Sequence, residues 1–287
     1  MRQRLNFWVI GGDPRQAALA KALMEDGHTI HTYALERGVD SALRSESLSG
    51  AAVADCVILP LPAAKGELLN APLSSRQPSL PQVLDALRPG QLLCAGLPSP
   101  ALRAEAEKRE LNLIDYFSRE ELAVANAVPT SEGAIQIAME ELPITLHSAR
   151  VLVIGYGRLG KVLARQLRGL GASVSVAARN YADLTWAQVW NYGVERSDQL
   201  SGWLCSYDLV INTVPVPILG REELSDLKAG CLVIDLASKP GGVDFAAAAE
   251  LGIKVIWALS LPGKTAPVTA GLAIKSTIYN ILTELGV

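Results

Sequence analysis

At 287 residues, 49% of them hydrophobic and 19% charged, the chain is long enough for two domains and apolar enough to fill a core in each. Its 26 basic and 29 acidic residues are interspersed and leave a formal net charge of −3, with no basic stripe or aromatic platform suited to nucleic acid. The 4 cysteines and 3 histidines show no metal-ligand spacing, so the thiols are expected buried, in a reducing compartment.

Asn6–Ile10 predicts a first strand, closed too early by Gly11-Gly12-Asp13 for a signal peptide or a membrane span, so a cytoplasmic protein is expected. Asp13 caps a helix that starts at Pro14 and runs to Met24, and Thr29–Tyr33 is the second strand. This strand–turn–helix–strand unit lacks a third glycine in register. Arg15, at the helix start, either anchors a carboxylate or lies on a solvated face. Cys56–Leu59, Leu92–Ala95 and Asn112–Tyr116 are further strands, with helices at Val83–Leu87, Leu102–Arg109 and Arg119–Val124; a Pro/Ser-rich loop covers Asn70–Pro81. The alternation makes this domain α/β with a mostly parallel sheet.

Asn126 to Gly133 leads into a connecting helix, Ala134–Glu140, with Thr130 or Ser131 as its cap. Asn126, Thr130 and Glu132 then face the chemistry, unless Glu132 merely completes a capping arrangement.

The stretch from Val151 to Arg179 organises the second half. Val151–Ile154 is a strand, Gly155-Tyr156-Gly157-Arg158-Leu159-Gly160 a glycine-rich turn opening a helix, and Ser173–Ala178 the next strand. A G-x-G-x-x-G in that setting binds a dinucleotide, with its diphosphate at the helix N-terminus. The second strand ends in Arg179 and Asn180 where an NAD-specific site has a carboxylate; a guanidinium pairs with a 2′-phosphate, so NADP is the expected cofactor. Arg158 adds to phosphate binding or faces solvent. Leu184–Trp190 is a helix whose two tryptophans are expected to pack. Thr213-Val214-Pro215, after the strand Leu209–Asn212, should pass near the nicotinamide ribose. The strand Cys231–Leu236 exits into Ser238-Lys239-Pro240-Gly241-Gly242, which either lines the cleft or is an exposed turn. A last strand, Lys254–Trp257, and a loop carrying Lys264 precede an apolar helix, Val268–Leu285, expected to brace the first domain.

His28, His31 and His147 all sit at amino ends of strands, away from the expected site. A cofactor site without a catalytic histidine suits oxidation of a labile ring C–H driven by aromatisation, with Lys239, Glu132 or water taking the proton.

Seven stretches together resemble the A subunits of dipicolinate synthase: G-G-D-P-R-Q (11–16), A-V-P-T-S-E-G-A (127–134), V-L-V-I-G-Y-G-R-L-G (151–160), V-A-A-R (176–179), I-N-T-V-P (211–215), D-L-A-S-K-P-G-G-V-D-F (235–245) and L-P-G-K-T-A-P-V-T-A-G (261–271). The resemblance spans essentially the whole chain; Ser260 departs from it, standing where a glycine is expected. It implies NADP-dependent oxidation of a dihydrodipicolinate-level compound, made from 4-hydroxy-tetrahydrodipicolinate, to dipicolinate in the mother cell of a sporulating bacterium. It also implies that the partner is a flavoprotein-like B subunit. A dicarboxylate substrate gives Arg15, Lys239 and Lys264 anions to hold, and Asn126, Thr130 and Ser238 hydrogen bonds to make. The alternatives are a 2-hydroxyacid or amino-acid dehydrogenase, and a non-catalytic NADP-binding partner; a homodimer is compatible with each.

The expected architecture is two Rossmann-like α/β domains: residues 1–128 on the substrate side, 129–148 an interdomain helix and linker, 149–266 the NADP-binding domain, and 267–287 a helix returning toward the first domain.

Overall fold

The computed structural model describes residues 4–287, which divide into two units. The first runs to Asn126 and resumes at Ala266–Val287; the second is Ala127–Thr265.

In the first unit, β1 (Asn6–Ile10), α1 (Pro14–Glu25), β2 (Thr29–Tyr33), β3 (Cys56–Ile58), a small hairpin of β4 (Ala64–Lys65) and β5 (Leu68–Leu69), α2 (Leu80–Leu84), β6 (Leu92–Ala95), α3 (Pro100–Lys108) and β7 (Asn112–Asp115) follow in order. All pairings in the main sheet are parallel, in the order β2-β1-β3-β6-β7. Both faces of a parallel sheet are covered, which is why its central strands are continuous apolar runs. Phe7, Val9 and Ile58 pack with Leu19 and Leu23 on one face, while Trp8, Ile10, Val57 and Leu93 pack with Leu84 and Leu102 on the other. Each such side chain contributes about 1.5–3 kcal/mol by leaving water.

The long helix α4 (Glu120–Glu141) starts in the first unit and ends in the second. There follow β8 (Arg150–Ile154), α5 (Arg158–Gly169), β9 (Ser173–Ala178), α6 (Tyr181–Val189), β10 (Gly193–Arg196), β11 (Leu209–Asn212), α7 (Arg221–Ser225), β12 (Leu232–Asp235), α8 (Phe245–Glu250), β13 (Lys254–Trp257) and α9 (Leu261–Thr265). Their six strands form one parallel sheet, β10-β9-β8-β11-β12-β13, the doubly wound Rossmann order. The last helix, α10 (Pro267–Leu285), belongs to the first unit. Its Ile274, Ile278, Ile281 and Leu282 pack among Leu19, Leu23 and Ile30, and Lys275 and Tyr279 reach Asp26 at the end of α1 at 2.8 and 2.7 Å. No helix among the described residues is long and apolar enough to cross a membrane.

Several expectations change. The connecting segment is one unbroken helix that starts at Glu120 and runs through Pro129, so Thr130 and Ser131 lie inside it and cannot cap it, and Glu132 completes no capping box. Proline forfeits one backbone hydrogen bond there, and burial of the surrounding turns, including Ala127, Ala134 and Ala138, outweighs that loss. Trp186 and Trp190 do not pack inward; they are 56% and 58% exposed. Cys205 is likewise exposed, while Cys56, Cys94 and Cys231 are buried. The loop at 261–265 is a short helix, and Ser260 before it adopts a left-handed φ of 61°, which is why glycine suits that position. The β4–β5 hairpin and β10 carry too little periodicity to be read from sequence.

Candidate functional site

Ligands in doubly wound sheets lie beyond the carboxyl ends of strands, where the strand order reverses. In the second unit that point falls between β8 and β11. The chain leaves β8 at Ile154 and turns at Gly155, whose φ is +96°. A Cβ at Gly155 would lie 2.3 Å from Thr213 Oγ1, and one at Gly160 would lie 2.0 Å from the Gly155 carbonyl oxygen, so the turn closes only on glycines. Thr213 reinforces it: its amide and its hydroxyl both donate to the Ile154 carbonyl at 2.9 Å. Gly157 is the N-cap of α5, and no side chain caps that end. A helix start without a side-chain cap is the setting that suits an anion.

Tyr156 is buried, and its ring stands edge-on to Tyr192 at 6.3 Å. Burial raises its hydroxyl pKa. Arg158 is exposed at the first turn of α5, and Leu159 packs against the core.

At the tip of β9, Arg179 is exposed. Asn180 has a structural duty, its Oδ1 accepting from the Ala182 amide at 2.8 Å to cap α6. Beside them, at the end of β10, stands Arg196, which sequence reading missed because β10 itself was not apparent. Its Nη1 donates to the Arg179 carbonyl at 3.3 Å, its guanidinium lies 4.7 Å from the Tyr181 ring centre, and it pairs with Asp198 at 2.5 Å. That pairing, with further attraction from Arg179, lowers the Asp198 pKa below the usual carboxylate value. Two guanidiniums and one carboxylate thus share this strand edge.

The exits of β11 and β12 are tied by buried polar groups. Asp235 Oδ1 accepts from Asn212 Nδ2 at 2.9 Å and from the Ala237 amide at 3.0 Å, and Oδ2 accepts from the Gly242 amide at 2.8 Å. Asn212 in turn exchanges two 3.0 Å bonds with the Val214 backbone. Trp257 Nε1 donates to the Ala237 carbonyl at 2.9 Å. The carboxylate therefore holds the loop on which Ser238 and Lys239 stand, and the amide fixes Thr213, Val214 and, beyond them, Pro215. Sequence reading took the loops for the site and overlooked the pair that shapes them; a polar residue ending each of two apolar strands was the available signal.

Glu132 is exposed on α4, in a groove with Met139, Glu140, Gln166 and Leu170 alongside α5. Its neighbour Thr130 is half-buried, and Lys264 is exposed on α9.

In the first unit the strand order reverses between β1 and β3. There Arg15 is only 8% exposed, so neither the solvated face nor a freely reaching side chain describes it. Its Nε and Nη2 grip the Asp13 carboxylate at 3.0 and 2.7 Å, and Nη2 also donates to the Leu61 carbonyl. Among the described residues its Nη1 has no partner. The buried Tyr116 hydroxyl donates to the Leu59 carbonyl at 2.9 Å, and Asn70 Nδ2 to the Pro62 carbonyl at 3.0 Å. Asn126 is half-buried on α4.

A six-stranded parallel sheet with a glycine turn at its reversal point makes the second unit an NAD(P)-binding fold of the dehydrogenase and transhydrogenase kind. In agreement, residues 122–285 match the family described as alanine dehydrogenase/PNT, C-terminal domain, and residues 6–117 match the N-terminal domain family of the dipicolinate synthase A subunit. The chain belongs to the family of dipicolinate synthase A subunits. It is 33% identical over 290 residues to the dipicolinate synthase A subunit of Bacillus subtilis strain 168, covering 98% of this chain and 97% of that one. A crystal structure of the same synthase component from Bacillus subtilis superposes with a TM-score of 0.89 at 31% identity, covering 100% of this chain and 98% of the other. That of the dipicolinate synthase A subunit from Bacillus halodurans gives 0.86 at 27% identity, covering 97% of each chain.

Proposed function

We propose that this chain oxidises a dihydrodipicolinate-level intermediate, derived from 4-hydroxy-tetrahydrodipicolinate, to dipicolinate with NADP+. The observation that carries the reading is the glycine turn of β8 and α5 combined with Arg179, in place of a carboxylate, at the tip of β9. Bound NADP+ supplies the hydride acceptor. The Gly157–Gly160 amides would hold its diphosphate, Arg179 and Arg196 its 2′-phosphate, and the Thr213–Pro215 backbone its nicotinamide half.

Two electrons and one proton leave the ring as hydride, and a second proton goes to a base as the ring becomes aromatic. The gain in aromatic stabilisation lowers the demand for acid–base help, consistent with the histidines lying at strand amino ends. Lys239 is our candidate for the proton acceptor or its positioning group, and Ser238 would hydrogen-bond a substrate carboxylate. Glu132 lines the α4–α5 groove with Gln166 and Leu170, which makes it the weaker candidate for proton transfer. For the substrate's carboxylates and ring the candidates are Arg15, Asn126, Thr130 and Lys264. Arg15 would act through its remaining Nη1 edge, because Asp13 already balances its charge. The B subunit, flavoprotein-like, is the proposed partner, and the mother cell cytoplasm the proposed location.

The test follows reduced nicotinamide by absorbance, using enzymatically generated 4-hydroxy-tetrahydrodipicolinate with and without the B subunit. Turnover with NADP+ under either condition supports the reading. Binding of NADP+ without turnover in both would show a non-catalytic nucleotide-binding protein instead.

A further inference from the structure

The two cations at the tips of β9 and β10 are not equally available. Arg196 lies level with Ala178, the last residue of β9, and Arg179 follows Ala178 directly. Among the described residues no carboxylate pairs with Arg179. Arg196, by contrast, is already engaged. A turn closed by the Gln199 amide on the Arg196 carbonyl at 3.1 Å brings Asp198 back beside the guanidinium. There Asp198 Oδ1 accepts from Nε at 2.9 Å and Oδ2 from Nη2 at 2.5 Å. Nη1 donates to the Arg179 carbonyl at 3.3 Å, and the Tyr181 ring centre lies 4.7 Å from the guanidinium carbon. Three of the five N–H bonds of this arginine are thus occupied, and its Nε–Nη2 edge, one that can grip an oxyanion bidentately, is closed by the carboxylate. The pair still meets solvent, with the Asp198 side chain 46% exposed and that of Arg196 27% exposed.

We propose that Asp198 is a specificity-determining residue of this nucleotide site. It competes with the 2′-phosphate of NADP+ for Arg196, and so holds the preference for NADP+ over NAD+ below what two arginines alone would give. The inference rests on the NADP+ reading above and adds to it a residue that works against the phosphate. A 2′-phosphate arriving at this edge must either displace the carboxylate from the Nε–Nη2 edge or share the guanidinium with a like charge, and both weaken binding. The 2′-hydroxyl of NAD+ is uncharged and can donate a hydrogen bond, so it meets no such penalty from a carboxylate. Because an exposed ion pair is worth only a modest free energy, the result is a shifted ratio between the two cofactors and not the exclusion of one. Arg179, which no carboxylate engages, keeps that ratio on the side of the phosphate.

Calorimetric titration of the full chain with NADP+ and with NAD+, in the absence of substrate, tests this. Asp198→Asn removes the charge and keeps the shape. It should tighten NADP+ binding by about fivefold, the upper end of what an exposed ion pair contributes, and change NAD+ binding by less than about twofold, with an unchanged circular dichroism spectrum. Asp198→Glu restores the charge and should return the ratio of the two affinities toward that of the wild type. Three results would each overturn the proposal: a ratio indifferent to Asp198→Asn; weaker NADP+ binding in that variant, which would make Asp198 a support for Arg196 and not its competitor; or Asp198→Glu behaving like Asp198→Asn. In each of these the wild type still binds NADP+, so the NADP+ reading survives, whereas a wild type that binds neither nucleotide would remove both.

Discussion

Asn212 Nδ2 donates to Asp235 Oδ1 at 2.9 Å, with both side chains fully buried at the carboxyl ends of neighbouring strands. The carboxylate also holds two loop amides, so it sets the position of Ser238 and Lys239 without being exposed itself. Replacing Asp235 by Asn removes charge-assisted bonds and turns one acceptor into a donor facing the amide side. The expected cost is about 1.5–3 kcal/mol in urea unfolding. NADP binding and turnover should both fall, because the β11 and β12 exits move together. A variant with full stability and weakened turnover would instead place Asp235 in direct contact with the reaction.

Arg179→Asp should reverse the preference between the two nicotinamide cofactors. Losing one charge-assisted contact to a phosphate costs about 1.5–3 kcal/mol, which is roughly one to two powers of ten in NADP affinity, with little effect on NAD. Arg196→Ala should show the same selectivity more weakly, since Asp198 already engages that guanidinium. Calorimetric titration of each variant with both cofactors is the measurement, and equal losses for the two would refute the role of Arg179.

The thiols should separate sharply in reactivity. The adjacent Cys94 thiol, 3.8 Å away, together with burial raises Cys56 well above the usual thiol range, and burial pushes the Cys231 thiol up to about 12. Cys205 is exposed. Because a protonated, inaccessible thiol is a poor nucleophile, a thiol-reactive chromophore should label one site per native chain and four after denaturation. Mass spectrometry should place the native label on Cys205.

Asp26 links α1 to α10 through Lys275 and Tyr279. Hydrogen bonds from these two side chains, Lys275 first, hold its folded pKa below the ordinary carboxylate value. A depressed folded pKa means stabilisation that is complete above the unfolded pKa and lost as pH falls through the folded one. The side chain of Asp26 is 36% exposed, so solvent screening limits the effect. Asp26→Asn should lower stability by at most about 1 kcal/mol near neutral pH. The difference from wild type should vanish in acid below the folded pKa, as measured by thermal melting across pH.

Much of the fold was readable because parallel strands buried on both faces leave continuous apolar runs, as at Val151–Ile154 and Leu209–Asn212. The glycine turn was readable because sterics admit no other residue at Gly155 or Gly160. What escaped was set by tertiary context. Pro129 reads locally as a break, yet the helix continues because its neighbours are buried. Trp186 and Trp190 read as core because their bulk is apolar, and no local pattern tells a core face from an unpartnered surface. The position of Arg15 depended on Asp13 and on a carbonyl 46 residues away, which spacing cannot reveal.

The placement of α10 bears on how the protein is made. The first-written half of the chain lacks Ile274, Ile278 and Ile281, which complete one side of its sheet, until the last helix has been synthesised. The second unit, Ala127–Thr265, carries no such debt to α10. During translation the second unit would therefore reach its native state first, and the first unit would wait until α10 has emerged from the ribosome.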